Sequence, residues 1–209
     1  MVYALIYVDL MQLKGWLIKM ATTNILIVGV GGQGTLLTSR IIGNLAMDLG
    51  YDVKMSEVHG MSQRGGSVVT HVKFGDKVFS PLIEIGTADI IIAFEQLEAL
   101  RWSHYLSDTG TIIVNEQKIA PLPVILGNEQ YPTDVIDKVK DRSFKCIAID
   151  ALKIARNLGN DRVLNTVLLG VLAKQLEMPV EGWLDAVEEN VPPKTIAINK
   201  RAFKEGYNQ

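Results

Sequence analysis

One cysteine, Cys146, stands in 209 residues. A lone thiol excludes an internal disulfide and excludes an iron–sulfur cluster held by this chain's thiolates alone. Histidine is nearly as scarce: the three residues, at 59, 71 and 104, have no spacing that suits a metal. An excess of charge of one sign is missing too. The 21 basic and 23 acidic side chains nearly cancel, which removes the electrostatic case for nucleic acid or an anionic membrane. Although 48% of the residues are apolar, no run approaches the ~18–20 residues of a membrane span. Repeats, low-complexity tracts and Ser/Gly linkers are absent. What remains is one ordinary α/β domain with cytoplasm as its default compartment.

What is present centres on Asn24-Ile-Leu-Ile-Val-Gly-Val-Gly-Gly-Gln-Gly-Thr35. A buried-type strand runs into Gly29, Gly31, Gly32 and Gly34, and a helical pattern follows, the order in which a GxGxxG match acquires meaning. Gly29 suits a tight turn, Gly31 a close approach by a ligand or another backbone, and Gly34 close packing of helix on strand. The amides of the first helical turn then favour an anion above the loop. The acid of a dinucleotide site is not evident. Asp48 and Asp52 flank the start of the second strand and Glu57 comes late within it.

Before this stretch, residues 1–19 lack a signal peptide's basic start and read as an extension outside the fold, the domain itself being 20–209. After it, Leu37, Ile41 and Leu45 give a helix one apolar face, and Gly50 stops it. Tyr51–Val58 reads as a second strand, followed by the polar loop 59–66. Ser67–Phe74 alternates and predicts an antiparallel hairpin with Lys77–Ser80 through Gly75-Asp76. Strands follow at 88–94, 111–114 and 144–149, with helices at 95–106 and 133–140 and an irregular, proline-bearing stretch at 116–133. In the last third, Asp150 caps a helix, and 162–176 is apolar on nearly all sides, so it is expected in the core or under a partner. The pattern predicts a Rossmann-like, mostly parallel sheet with an added antiparallel hairpin and a helical C-terminal third.

Ligands of such sheets gather at the carboxyl ends of the strands. The glycine loop, the loop 59–66, Glu95 and Asn115 fall there. Arg64 converging with amides of the glycine loop makes an anion site of phosphate or carboxylate type. Each has a plain structural rival: Arg64 pairing with Glu57 or Glu95, Glu95 serving its helix's first turn, Asn115 satisfying loop backbone. His59 and Ser62 lack a third partner for catalysis. His71 is expected to be exposed, His104 at the core edge, and Cys146 buried and inert.

Taken together, Gly29-Val-Gly-Gly-Gln-Gly34, Ser56-Glu-Val-His-Gly-Met-Ser-Gln-Arg-Gly-Gly66, and Pro81 with Gly86-Thr-Ala-Asp89 and Phe94-Glu95 resemble the gamma-type subunit of 2-oxoacid:ferredoxin oxidoreductases, in particular its indolepyruvate-acting branch. The similarity extends from about Thr23 to Asn199, including Asn115, Gly159-Asn160 and Asn165 to Gly170. It implies a complex that oxidatively decarboxylates a 2-oxoacid, here an arylpyruvate, to an acyl-CoA and passes the electrons to ferredoxin. The chain shows no Gly-Asp-Gly with a downstream Asn-Asn. The resemblance therefore implies that thiamine diphosphate, Mg²⁺ and the iron–sulfur clusters belong to an alpha-type partner subunit. It implies no catalytic residue or metal ligand here. Gly29, Gly31, Gly32, Gly34, Ser62, Arg64, Gly65, Gly66, Glu95 and Asn115 become the candidate contacts to CoA, another anion or the partner. A free-standing NAD(P)-binding dehydrogenase and a purely structural interaction module are the two alternatives.

Overall fold

The computed structural model describes residues 22–59, 66–143 and 145–209. Residues 1–19 and the start of the last predicted strand, Phe144, lie outside them. Six strands form one sheet: β1 (Thr23–Val30), β2 (Asp52–His59), β3 (Ser67–Gly75), β4 (Ala88–Ala93), β5 (Leu106–Asn115) and β6 (Lys145–Ile149). Their order is β2-β3-β1-β4-β5-β6. Strands β1, β4, β5 and β6 are mutually parallel, whereas β3 runs antiparallel to both β1 and β2.

The helices are α1 (Thr35–Asp48), α2 (Gln96–Trp102), α3 (Leu122–Ile125), α4 (Val135–Asp141), α5 (Ala151–Asn157), α6 (Leu164–Ala173), α7 (Val180–Asn190) and α8 (Ile196–Tyr207). Successive residues of β1 serve opposite cores. Ile25 and Ile27 face α1 and α5 to α8, while Leu26 and Val28 face α2 and α4. Cover on both faces is why this strand is an unbroken apolar run and shows no alternation.

The predicted hairpin is corrected. Lys77–Ser80 forms no strand; β3 pairs instead with β2 across the loop 59–66 and with β1 on its other side. The alternation in 67–74 reports a strand but not its partner. Two interactions lay the chain after Gly75 across the sheet: Val78 N donates to Asp52 Oδ2 (2.9 Å), and Ile83 N donates to His71 Nδ1 (3.2 Å). His71 is consequently buried rather than exposed. Burial, with Lys73 nearby, holds its imidazole below the ordinary histidine range.

Further departures are local. The helix predicted over 95–106 ends at Trp102 and tightens into a 3₁₀ turn over Ser103–Tyr105, placing His104 in solvent beside Tyr105 (ring centroids 4.9 Å apart) rather than at the core edge. A short helix, α3, interrupts the irregular stretch 116–133. Cys146 is half-buried, and that burial pushes its thiol up.

The apolar helix predicted over 162–176 is shorter, and all ten of its residues are buried. A partner is not required to explain it. Helix α8 crosses it backbone to backbone: a Cβ on Gly170 would lie 2.1 Å from the Phe203 carbonyl oxygen, and one on Gly206 1.9 Å from that of Val167. Thr166 Oγ1 donates to Asn199 Oδ1 (2.7 Å) within the same contact.

Candidate functional site

Strand β1 ends at the carboxyl edge of the sheet in the glycine loop. Gly32 and Gly34 hold φ of +96° and +89°, the left-handed region in which a Cβ is strained. Gly34 occupies the N-cap of α1, so no side chain caps that helix, and its first turn carries no acid. Its leading amides keep their partial positive charge.

Gln33 braces the loop. Its Oε1 accepts from Val30 N (2.8 Å), and its Nε2 donates to the Phe94 carbonyl (3.0 Å) and to Gln117 Oε1 (3.2 Å). Asn115, fully buried, donates from Nδ2 to the same Phe94 carbonyl (3.0 Å) and accepts from Ala151 N (3.1 Å). One carbonyl at the end of β4 thus ties together the turns after β1 and β5 and the start of α5. This network fills the crevice between β1 and β4, where the chain's winding reverses. Gly29 borders it closely: a Cβ there would lie 3.0 Å from Phe94 Cβ.

Glu95 is buried beside it as the N-cap of α2. Its Oε2 accepts from Glu98 N (3.0 Å), and its Oε1 accepts from Ile119 N (3.0 Å) and from the Tyr131 hydroxyl. Burial first, then the hydrogen bond to Glu95, pushes the Tyr131 phenol up. With 1% exposure and this complement of donors, Glu95 anchors the 116–131 stretch beneath the site.

The polar loop returns to the glycine loop at its C-terminal foot, where Gly31 N donates to the Gly66 carbonyl (3.0 Å). The backbone that approaches Gly31 is therefore the chain's own. Ser62, Arg64 and Gly65 lie outside the described residues. Of the two acids named as rival partners for Arg64, Glu95 is enclosed, and Glu57 accepts from Thr70 Oγ1 (3.1 Å). Next to Gly66, Ser67 Oγ donates to Glu98 Oε2 (2.5 Å), which also accepts from Trp102 Nε1 (3.3 Å). Arg101 completes the cluster, with Nη1 2.8 Å from Glu98 Oε1.

On the other side of the glycine loop opens a cleft of about 490 Å³. Its far wall is the α5–α6 junction, bearing Arg156, Asp161, Arg162 and Asn165, and Leu37, Leu152 and Leu164 supply apolar surface. Gln33 and Glu98 are the residues that sequence reasoning did not single out, and Asn165 entered it only within the resemblance. Asn165 had a signal, being a polar residue at the start of an apolar helix. Gln33 sat inside the motif but reads as filler until its amide is seen to bridge two strands.

The topology bears on dinucleotide binding. A dinucleotide fold places its ribose acid on the parallel strand beside β1. Here the neighbour is antiparallel β3, which presents Ser67 at that edge, and β2 with Glu57 is one strand further out. Among the described residues no group of His, Cys, Asp or Glu is placed to hold a metal, and no helix is long and apolar enough to cross a membrane.

Comparison with known proteins places this geometry in context. Residues 24–209 match the model of the pyruvate ferredoxin/flavodoxin oxidoreductase family. The chain is 43% identical over 188 residues to the indolepyruvate oxidoreductase subunit IorB of Thermococcus kodakarensis, covering 88% of this chain and 93% of that protein. It is 25% identical over 184 residues to the common gamma subunit of the pyruvate/ketoisovalerate oxidoreductases of the same organism, covering 87% and 93%. The crystal structure of pyruvate oxidoreductase subunit PORC from Thermotoga maritima shares the fold, with a TM-score of 0.69 at 21% identity over 91% of this chain and 97% of that one.

Proposed function

Because the chain belongs to the pyruvate ferredoxin/flavodoxin oxidoreductase family, we propose that it is the non-thiamine-binding subunit of an indolepyruvate, or arylpyruvate, ferredoxin oxidoreductase. The observation that carries this reading is identity of 43% across nearly the whole length of a subunit named for indolepyruvate. The complex oxidatively decarboxylates the 2-oxoacid, and CoA supplies the thiol that takes the acyl group. Thiamine diphosphate, Mg²⁺ and the iron–sulfur clusters reside on an alpha-type partner, which passes electrons to ferredoxin. One cysteine is too few for a cluster, and the described residues offer no acid cluster for the magnesium of a diphosphate. A cytoplasmic location belongs to the same reading and suits a chain with a single free thiol.

This chain's own task is to present the carboxyl edge of its sheet. The uncapped amides of α1, the glycine loop and Arg64 receive an anion, either a CoA phosphate or a partner carboxylate. Glu95 and Asn115, both buried, hold the supporting turns in place. The 3.0 Å bond from Gly31 to Gly66 supports the convergence of the two loops, since it fixes one foot of the Arg64 loop against the other loop. A free-standing dehydrogenase is disfavoured by β3 occupying the position of the ribose-binding strand.

The test is co-expression with a thiamine-binding partner chain. The expected result is a stable complex that reduces ferredoxin with an arylpyruvate only when CoA is present. Purification of a monomer that is indifferent to every such partner, and that binds NADH, would overturn the reading.

A further inference from the structure

We propose that the outer edge of β2 is a self-association surface, on which a second copy of this chain pairs antiparallel about a two-fold axis at Met55. Its role stands whatever the carboxyl edge of the sheet receives.

The edge itself is open. Strand β2 ends the strand order, and no described residue pairs with its outer side. It runs eight residues in unbroken register with β3 and contains neither proline nor glycine. Sheets ordinarily protect such an edge with a bulge, a proline, a short strand or free charges, because its outer N–H and C=O groups accept another strand. The opposite edge, β6, is only five residues long. The charges of β2 are engaged within its own sheet. Asp52 holds Lys54 and accepts from Val78 N (2.9 Å), and Glu57 accepts from Thr70 Oγ1 (3.1 Å).

An apolar border runs along this edge. Leu36, Arg40, Gly43 and Met47 recur at helical spacing and form one stripe of α1. A Cβ on Gly43 would lie 3.0 Å from Met55 Sδ, so the stripe lies over β2. Leu36, Met47 and Met55 on that face of the sheet, and Val58 on the other, are each at least 43% exposed. Pairing of one short strand is marginal in water by itself. Burial of the border supplies what a stable dimer needs beyond main-chain hydrogen bonds.

Symmetry points to a second copy. A two-fold axis normal to the sheet keeps every residue on its own face, so the axis passes through a residue of β2 and not between two. Centres near either end pair few residues, and a centre at Lys54 or Glu57 sets like charges opposite each other. A centre at Ser56 sets the exposed Met55 against Glu57. Centred on Met55, the segment 52–58 pairs with itself: Met55 meets Met55, Lys54 meets Ser56, Val53 meets Glu57 and Asp52 meets Val58. Like charges are never directly opposed. The two α1 stripes then share one face of the joined sheet, with Met47 of one copy on the same side of the axis as Leu36 of the other. One strip thus serves both sides of the contact.

The experiment measures the mass of the full chain in solution by light scattering. We expect the mass of two chains for the parent and of one chain for Met55→Asp, which sets two carboxylates against each other on the axis. In a Cys146→Ala background, Met55→Cys should form a disulfide-linked dimer on mild oxidation, because directly opposite Cβ atoms lie about 5 Å apart. Val53→Cys should not, since its two copies stand about 13 Å apart along the strands. If Met55→Asp does not fold, the two cysteine variants decide. A parent chain of single mass at high concentration, a Met55→Asp chain that still dimerises, or a cross-link at 53 in place of 55 overturns the proposal. So does a parent that stays single until a thiamine-binding partner is added and loses that partner on Met55→Asp, which would give the edge to a strand of the other subunit.

Discussion

Arg64 carries the sharpest prediction at the scale of single residues. Replacing it with Ala should cost under ~1 kcal/mol of stability, as loop charges do, yet lower the CoA-dependent rate of the complex. Lys at this position keeps the charge without the two-pronged geometry and should rescue only partly, as comparison of KM for CoA across the three chains would show. Glu95 should behave in the opposite way. Its carboxylate accepts from Ile119 N, Glu98 N and the Tyr131 hydroxyl in the interior, so Glu95→Ala leaves three donors unmet and should cost at least about 3 kcal/mol in urea unfolding. His71 predicts a pH dependence. Its folded pKa lies below the unfolded value, so the unfolded chain binds more protons, and stability is full above pH ~6.5 and falls as pH drops towards the folded pKa. Urea midpoints at pH 7.5 and 5.5 should therefore differ less in His71→Gln than in the parent chain.

Two element pairings decide the architecture. Helices α6 and α8 meet at Gly170 and Gly206, where an added methyl collides with a backbone carbonyl that cannot rotate away. Gly170→Ala or Gly206→Ala should each lower stability by about 2 kcal/mol or more, measured as a fall in melting temperature, although alanine is the better helix former. The second pairing is β3 between β1 and β2. Because β3 is antiparallel to both, β1 and β2 still point the same way, and the loops following them leave the same edge. Gly66, the described foot of the second loop, meets Gly31 although β1 and β2 are not neighbours.

At the scale of the whole molecule, one face of the sheet carries α1 with the helical C-terminal third and the other carries α2 and α4, leaving the carboxyl edge for contacts. Exposed apolar side chains cluster on α3 and its C-cap, where Leu122, Ile125 and Leu126 are each more than 60% exposed. Division of labour with a partner predicts that the purified chain is colourless and contains neither iron nor thiamine diphosphate, checked by metal analysis and thiochrome fluorescence. Stoichiometric iron or thiamine diphosphate on the isolated chain would contradict it.

Local patterns in the sequence determined most of the elements: the strand and glycine turn at 24–34, the helix over 35–48, the Asp150 cap and the apolar α6. These follow from periodicity, caps and glycine backbone preferences, all written within a few residues. Tertiary structure alone decided which strand lies beside which, since alternation in 67–74 is compatible with either neighbour and the backbone pairing of β3 with β1 and β2 joins segments far apart in the chain. It also decided the environment of His71, Glu95 and Asn165. A side chain is solvated or enclosed according to what packs over it, and the segments that cover these three, around Ile83, Tyr131 and Gly34, lie between 12 and 131 positions away along the chain. Their chemistry is a property of the folded contacts, which no local stretch of sequence contains.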